Sequence, residues 1–146
     1  MGIEIANTSG FECDEDQIVS VAEFALDKLG IHPDSDLGIT LVDEEEITRL
    51  HVQWMDLPGP TDVLSFPMDE LKPFSASDGP GIIGDIVICP QFAAKQALVH
   101  STADEISLLT VHGVLHLLGF DHADPEEHKV MFALQDKTLS EWRMSR

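Results

Sequence analysis

The spacing of apolar and polar side chains changes period several times along the chain, and each change predicts an element. Residues 3–7, IEIAN, alternate in the two-residue period of a half-buried strand. After Asp14 the period lengthens: Ile18, Val21, Ala22, Ala25, Leu26 and Leu29 recur at helical spacing, with Asp14 and Gln17 as a capping pair and Gly30 as the stop. LGITLV (37–42) reads as a second strand. Asp43 and Glu46 cap a second helix carrying Ile47, Leu50 and Trp54 on one face, and DLPGP (56–60) ends it, because two prolines and a glycine cannot continue a helix. TDVLSFP (61–67) reads as a strand closed by Pro67. Residues 68–81 are polar and rich in turn formers, a loop length usually associated with mobility or function. IIGDIVICP (82–90) returns to strand and QFAAKQALVH (91–100) to helix.

Thr102 and Glu105 then form a T-x-x-E box at the head of a helix that is apolar almost all round: Ile106, Leu108, Leu109, Val111, Val114, Leu115, Leu117 and Leu118. A helix without a polar face is a buried central one. A last helix starts at the cap Asp124, with Pro125 in its first turn. This order predicts an α+β fold, a small mixed sheet of about four strands packed by helices. The length suits one domain, residues 1–146.

Composition adds one constraint. Eight Lys plus Arg against 27 Asp plus Glu give a formal net charge of −19, a field that repels polyphosphate chains. Nucleic-acid binding must therefore rest on local residues or on a bridging partner. No run approaches the length of a membrane span and the N-terminus has no signal-like core, so a cytoplasmic protein without membrane contact is expected. Cys13 and Cys89, in no metal-ligand spacing, are expected to be reduced and partly buried.

The candidate chemistry lies in HGVLHLLGFDH (112–122). His112 and His116, four apart, share a helix face, and a left-handed exit at Gly119 can bring His122 back as a third nitrogen. Three neutral imidazoles suit one zinc ion with a fourth position left for water, the arrangement of a catalytic site. His32, His51, His100 and His128 have no such partners and read as surface residues, with His128 on the last helix the one closest to interest. Zinc peptidases keep a glutamate base after the first histidine, whereas this chain has Gly113. Zinc itself brings the pKa of its water near 7, so the loss falls on proton delivery to a leaving amine. Phosphodiester hydrolysis, whose dominant need is charge neutralisation, is less affected.

These residues resemble those of the YbeY-type endoribonucleases. HGVLHLLGFDH is similar to the family's H-G-x-L-H-L-x-G-[YF]-D-H, and PTDVLSFP (60–67) and GDIVIC (84–89) are close to two further family stretches. The resemblance implies zinc ligation by His112, His116 and His122, and a mixed α/β fold with a metzincin-like metal helix. It also implies single-strand endoribonuclease activity in 3′-end maturation of small-subunit rRNA and in ribosome quality control. Ribosomal RNA and the small ribosomal subunit are the implied partners, and the acidic surface adds basic ribosomal proteins. One stretch departs: before PTDVLSFP the family commonly has L-N-x-x-[YF]-R, and LHVQWM places His51 at the asparagine and Met55 at the arginine. Arg49 is the candidate replacement if its helix presents it to the same groove. Asp85 and Asp62, read as strand starts, are candidate proton-handling groups; Asp121 is a candidate to orient a ligand histidine; Thr61 and Ser65 are candidates to line the substrate groove. Two rivals stand beside the nuclease: a zinc peptidase-like hydrolase, and a ribosome-assembly binding protein whose metal is chiefly structural.

Overall fold

The computed structural model describes residues 2–146. Strand β1 (Gly2–Asn7) leads through helix α1 (Glu15–Lys28) to β2 (Asp36–Leu41), and α2 (Glu44–Met55) leads to β3 (Val63–Pro67). A loop containing one 3-10 turn, Ala76–Asp78, connects to β4 (Ile82–Ile88). Three helices follow: α3 (Pro90–Gln96), α4 (Thr102–Leu117) and α5 (Pro125–Met144). The four strands form one mixed sheet in the order β1-β2-β4-β3, with β1, β2 and β4 parallel and β3 antiparallel at the edge. This is the α+β architecture expected from the periodicities.

The caps explain the helix starts. Asp14, Asp43 and Asp124 each accept a hydrogen bond from the backbone N–H three residues on. At α4 the cap is one residue earlier than the T-x-x-E box suggests: Ser101 Oγ accepts from Asp104 N at 3.1 Å. Glu105 is instead drawn inward, where it is only 8 % exposed. Helix α3 begins with Pro90 in its first turn and ends at Gln96, so the expected run to His100 stops short. The apolar pair Leu98 and Val99 beyond it is exposed, with nothing to bury that would continue the helix.

One face of the sheet carries the main core. Leu37, Ile39, Leu41, Ile86 and Ile88 pack with the apolar faces of α1, α4 and α5, and Trp142 closes the far side. The opposite face carries a smaller cluster of Val42, Ile47, Leu64, Val87 and Cys89, beneath α2. Helix α4 approaches the sheet closely at Gly113, where a Cβ would stand 3.0 Å from Ile86 Cγ2. Strand β4 is re-phased by a bulge. Asp36 pairs with Ile82 but Leu37 pairs with Gly84, leaving Ile83 as the extra residue. Gly84 sits at φ 140°, and a Cβ there would be 2.3 Å from the Phe66 carbonyl oxygen. Both cysteines are free, Cys89 buried and Cys13 partly so, and burial raises both thiol pKa values. Among the described residues no helix is long and apolar enough to cross a membrane.

Candidate metal centre

The C-terminal end of α4 presents His112 and His116 on one side. Leu118 and Gly119 then leave the helix, Gly119 at φ 95°, and the turn returns His122 to the same point. One ring nitrogen from each histidine lies within 4.8 Å of the others. The Nε2 atoms of His112 and His116 are 3.1 Å apart. Two nitrogens each about 2.0–2.1 Å from one tetrahedral ion stand roughly 3.4 Å apart, so this pair is spaced as co-ligands are.

The surroundings select the ligating form of the rings. Burial pushes His112 and His116 below the ordinary histidine value of 6.5, keeping them neutral; the hydrogen bond from His112 to Gln135 opposes this in part. His112 Nδ1–H donates to Gln135 Oε1 at 2.8 Å, which leaves the lone pair on Nε2, facing its partners. Gln135 is a buried residue of α5, only 2 % exposed. Phe132 of the same helix lies beside His112 and His122, and stacks on His128 with centroids 4.2 Å apart. His128 in turn meets His122 edge-on at 6.2 Å, a supporting position outside the convergent set. The donor set, its protonation and its buttressing fit a metal ion.

The histidines open onto a cleft of about 990 Å³ between α4, the β3 edge and the segment leaving α2. Asp62 lies on its wall: one carboxylate oxygen accepts from Val63 N at 2.7 Å and the other from Gln96 Nε2 at 3.1 Å. Gln96 Nε2 also donates to Glu105, whose second oxygen bonds His100 Nε2 at 2.6 Å. Thr61 and Ser65 line the cleft as expected, but the Ser65 hydroxyl donates to the Gly113 carbonyl and ties β3 to the metal helix. Asp121 borders the cleft, and its carboxylate accepts from the His122 backbone N–H at 2.7 Å, so it shapes the turn rather than bonding a ring.

Two candidates are not brought here. Asp85 lies in the middle of β4 rather than at its start, exposed on the sheet face opposite α4, because the bulge turns Ile86 toward the metal helix instead. Arg49 points away along α2, held by Glu46 and Gln53 beside a separate hollow with Thr8 and Asp43. His51, read as a surface residue, lines the cleft and donates from Nδ1 to the Gly59 carbonyl at 3.0 Å. His100 likewise has a partner, Glu105. Gln135, Gln96 and Glu105 escape sequence reading because an amide or carboxylate on a helix has no spacing that marks it. Only its packed neighbour does.

A family model described as Endoribonuclease YbeY matches residues 4–143. The Endoribonuclease YbeY of Mycobacterium sp. (strain KMS) is 54% identical over 97% of this chain and 84% of its own length. That of Nocardia farcinica is 57% identical over 97% of this chain and 80% of its own. Among solved structures, a Thermotoga maritima protein determined in solution aligns with a TM-score of 0.63 at 29% identity, covering 98% of this chain and 93% of that one.

Proposed function

The chain belongs to the YbeY endoribonuclease family, and from that premise we propose that it is a zinc-dependent single-strand endoribonuclease. Its role is 3′-end maturation of small-subunit rRNA and ribosome quality control in the cytoplasm, with ribosomal RNA and the small subunit as partners. The observation that carries the reading is the convergence of His112, His116 and His122, with Gln135 fixing the His112 tautomer. These three histidines would hold a zinc ion, which would supply Lewis acidity toward a phosphate oxygen and lower the pKa of a water to near 7.

The chain's own groups do the rest. Asp121 holds the turn that aims His122. Asp62, fixed by Val63 N–H and the Gln96 amide, is the carboxylate placed on the cleft wall to take up a proton during attack on the phosphodiester. Thr61 and Ser65 shape the β3 side of the groove. The peptidase reading fares worse, because position 113 carries no glutamate base and faces Ile86 across the helix–sheet contact, where even a Cβ would stand 3.0 Å away. A −19 chain also suits docking to basic ribosomal proteins as it approaches the subunit.

Elemental analysis of the purified chain, paired with cleavage of a single-stranded RNA with and without chelator, tests this. One zinc per chain and chelator-sensitive cleavage are expected, with His116→Ala losing both. Casein cleavage without RNA cleavage would promote the peptidase. RNA cleavage that persists in His116→Ala would remove the metal from the mechanism.

A further inference from the structure

The cleft poses a binding problem for a nuclease. Among the described residues no Lys or Arg lines it, while Asp62, Glu105 and Asp121 do. Of the chain's eight basic residues, Lys28, Arg49, Lys95 and Lys137 are tied to carboxylates, and Lys129 and Arg143 of α5 are outside the cleft lining. Arg146 stacks on Trp142. Lys72 rests against Gly119 at the C-terminal end of α4, where the helix dipole favours a cation. A phosphate clamp of the usual kind is therefore missing from the cleft wall, and some other contact has to hold the substrate.

The mouth of the cleft offers one. Met55 and Leu57 line the cleft and are nonetheless 41 % and 53 % exposed. Trp54, next to them, is 61 % exposed. Its indole is not loose: Phe66 of β3 meets it edge-on, centroids 6.3 Å apart at 73°, a favourable aromatic geometry that fixes the ring plane. Exposed Leu98 and Val99 lie outside the cleft lining, and nothing indicates what they meet. Trp54 is itself outside the lining, but its chain neighbour Met55, and Leu57 beyond, belong to it, so the indole stands at the rim of the site.

We propose that Trp54, with Met55 and Leu57 beside it in the chain, is a platform on which an unpaired base of the RNA stacks as the strand enters the cleft. This deepens the endoribonuclease reading and rests on it. Stacking needs no positive charge, works on any base and requires an unpaired one, which gives single-strand selectivity to an acidic protein. The phosphates then meet the protein chiefly at the metal centre. Trp54 is thus a substrate-positioning residue: removing it should change capture of RNA and leave the chemical step alone.

The zinc-loaded wild-type chain, Trp54→Ala and Trp54→Phe are compared on one short single-stranded RNA by steady-state cleavage at 50 and 200 mM salt. Trp54→Ala is expected to raise KM by roughly tenfold with kcat within about twofold, and Trp54→Phe to restore most of the loss. Wild-type KM should change only a fewfold between the two salt concentrations, where a protein making many phosphate contacts changes by orders of magnitude. Fluorescence gives a second readout, because Trp142 is buried at 2 % exposure and Trp54 is the remaining tryptophan. The same RNA should quench emission saturably in wild type, and an abasic oligomer of equal length should not. An unchanged KM in Trp54→Ala overturns the proposal. So does equal quenching by the abasic oligomer, and so does a patch that only mediates self-association, seen as a wild-type dimer made monomeric by Trp54→Ala without any change in KM. If the wild type cleaves no RNA yet shows base-dependent quenching at Trp54, the nuclease reading fails while the platform stands.

Discussion

Gln135 shows how much of a metal site can hang on one neutral side chain. Its carbonyl oxygen fixes the proton of His112 on Nδ1 and so decides which nitrogen is free to bind. Partners of this kind typically contribute 10–100-fold to metal affinity. Gln135→Leu keeps the bulk and removes the acceptor, so zinc affinity measured by chelator competition is expected to fall by that range while the fold survives. The sequence makes the three ligands legible because histidine at i, i+4 and after a glycine turn is rare by accident. It leaves Gln135 illegible, since its contact with His112 joins two helices 23 positions apart. Arg49 misleads for the complementary reason. Nearness along a helix says nothing about face, and its guanidinium is satisfied locally by Glu46 and Gln53.

At the scale of elements, two glycines govern what the periodicities can and cannot predict. The apolar runs fix the helices and strands well, because burial of one face dictates their period. Strand β4 is the exception: IIGDIVI reads as a continuous strand, yet the bulge at Ile83 and Gly84 breaks the alternation so that Ile83, Ile86 and Ile88 all join the main core, and Asp85 goes with the outer face. Neither the bulge nor its effect on Asp85 is visible without the pairing partner. Gly113 acts through packing. Its missing side chain lets α4 settle on Ile86, and its carbonyl accepts from Ser65. Restoring the peptidase residue with Gly113→Glu is therefore expected to overpack this contact, bury a charge and lower stability by at least about 1–3 kcal/mol. Denaturant unfolding checks the loss, and no casein cleavage should accompany it.

For the whole molecule, the site sits at the edge of a core that does not depend on it. The sheet, α1 and the inner face of α5 bury their apolar side chains whether or not the histidines are ligated. The metal-stripped chain is expected to keep a cooperative unfolding transition at pH 7.5. Its half-buried His112 and His116 have folded pKa values below 6.5, so as pH falls past 6.5 the unfolded chain takes up more protons than the folded one. Stability is fully present above that value and is lost as pH falls through the folded values. Denaturation from pH 7.5 to 5, compared with a chain carrying His112→Gln and His116→Gln, isolates this loss; an identical slope in both would count against it. The ligands occupy a single stretch, 112–122, rather than meeting from distant parts of the chain. An unravelled polypeptide therefore still carries a short tethered chelator, and any zinc it retains offsets part of what zinc adds to the native state. Added zinc should raise the melting temperature less than its affinity for the folded protein implies, and a nascent chain can capture its ion before the sheet has closed.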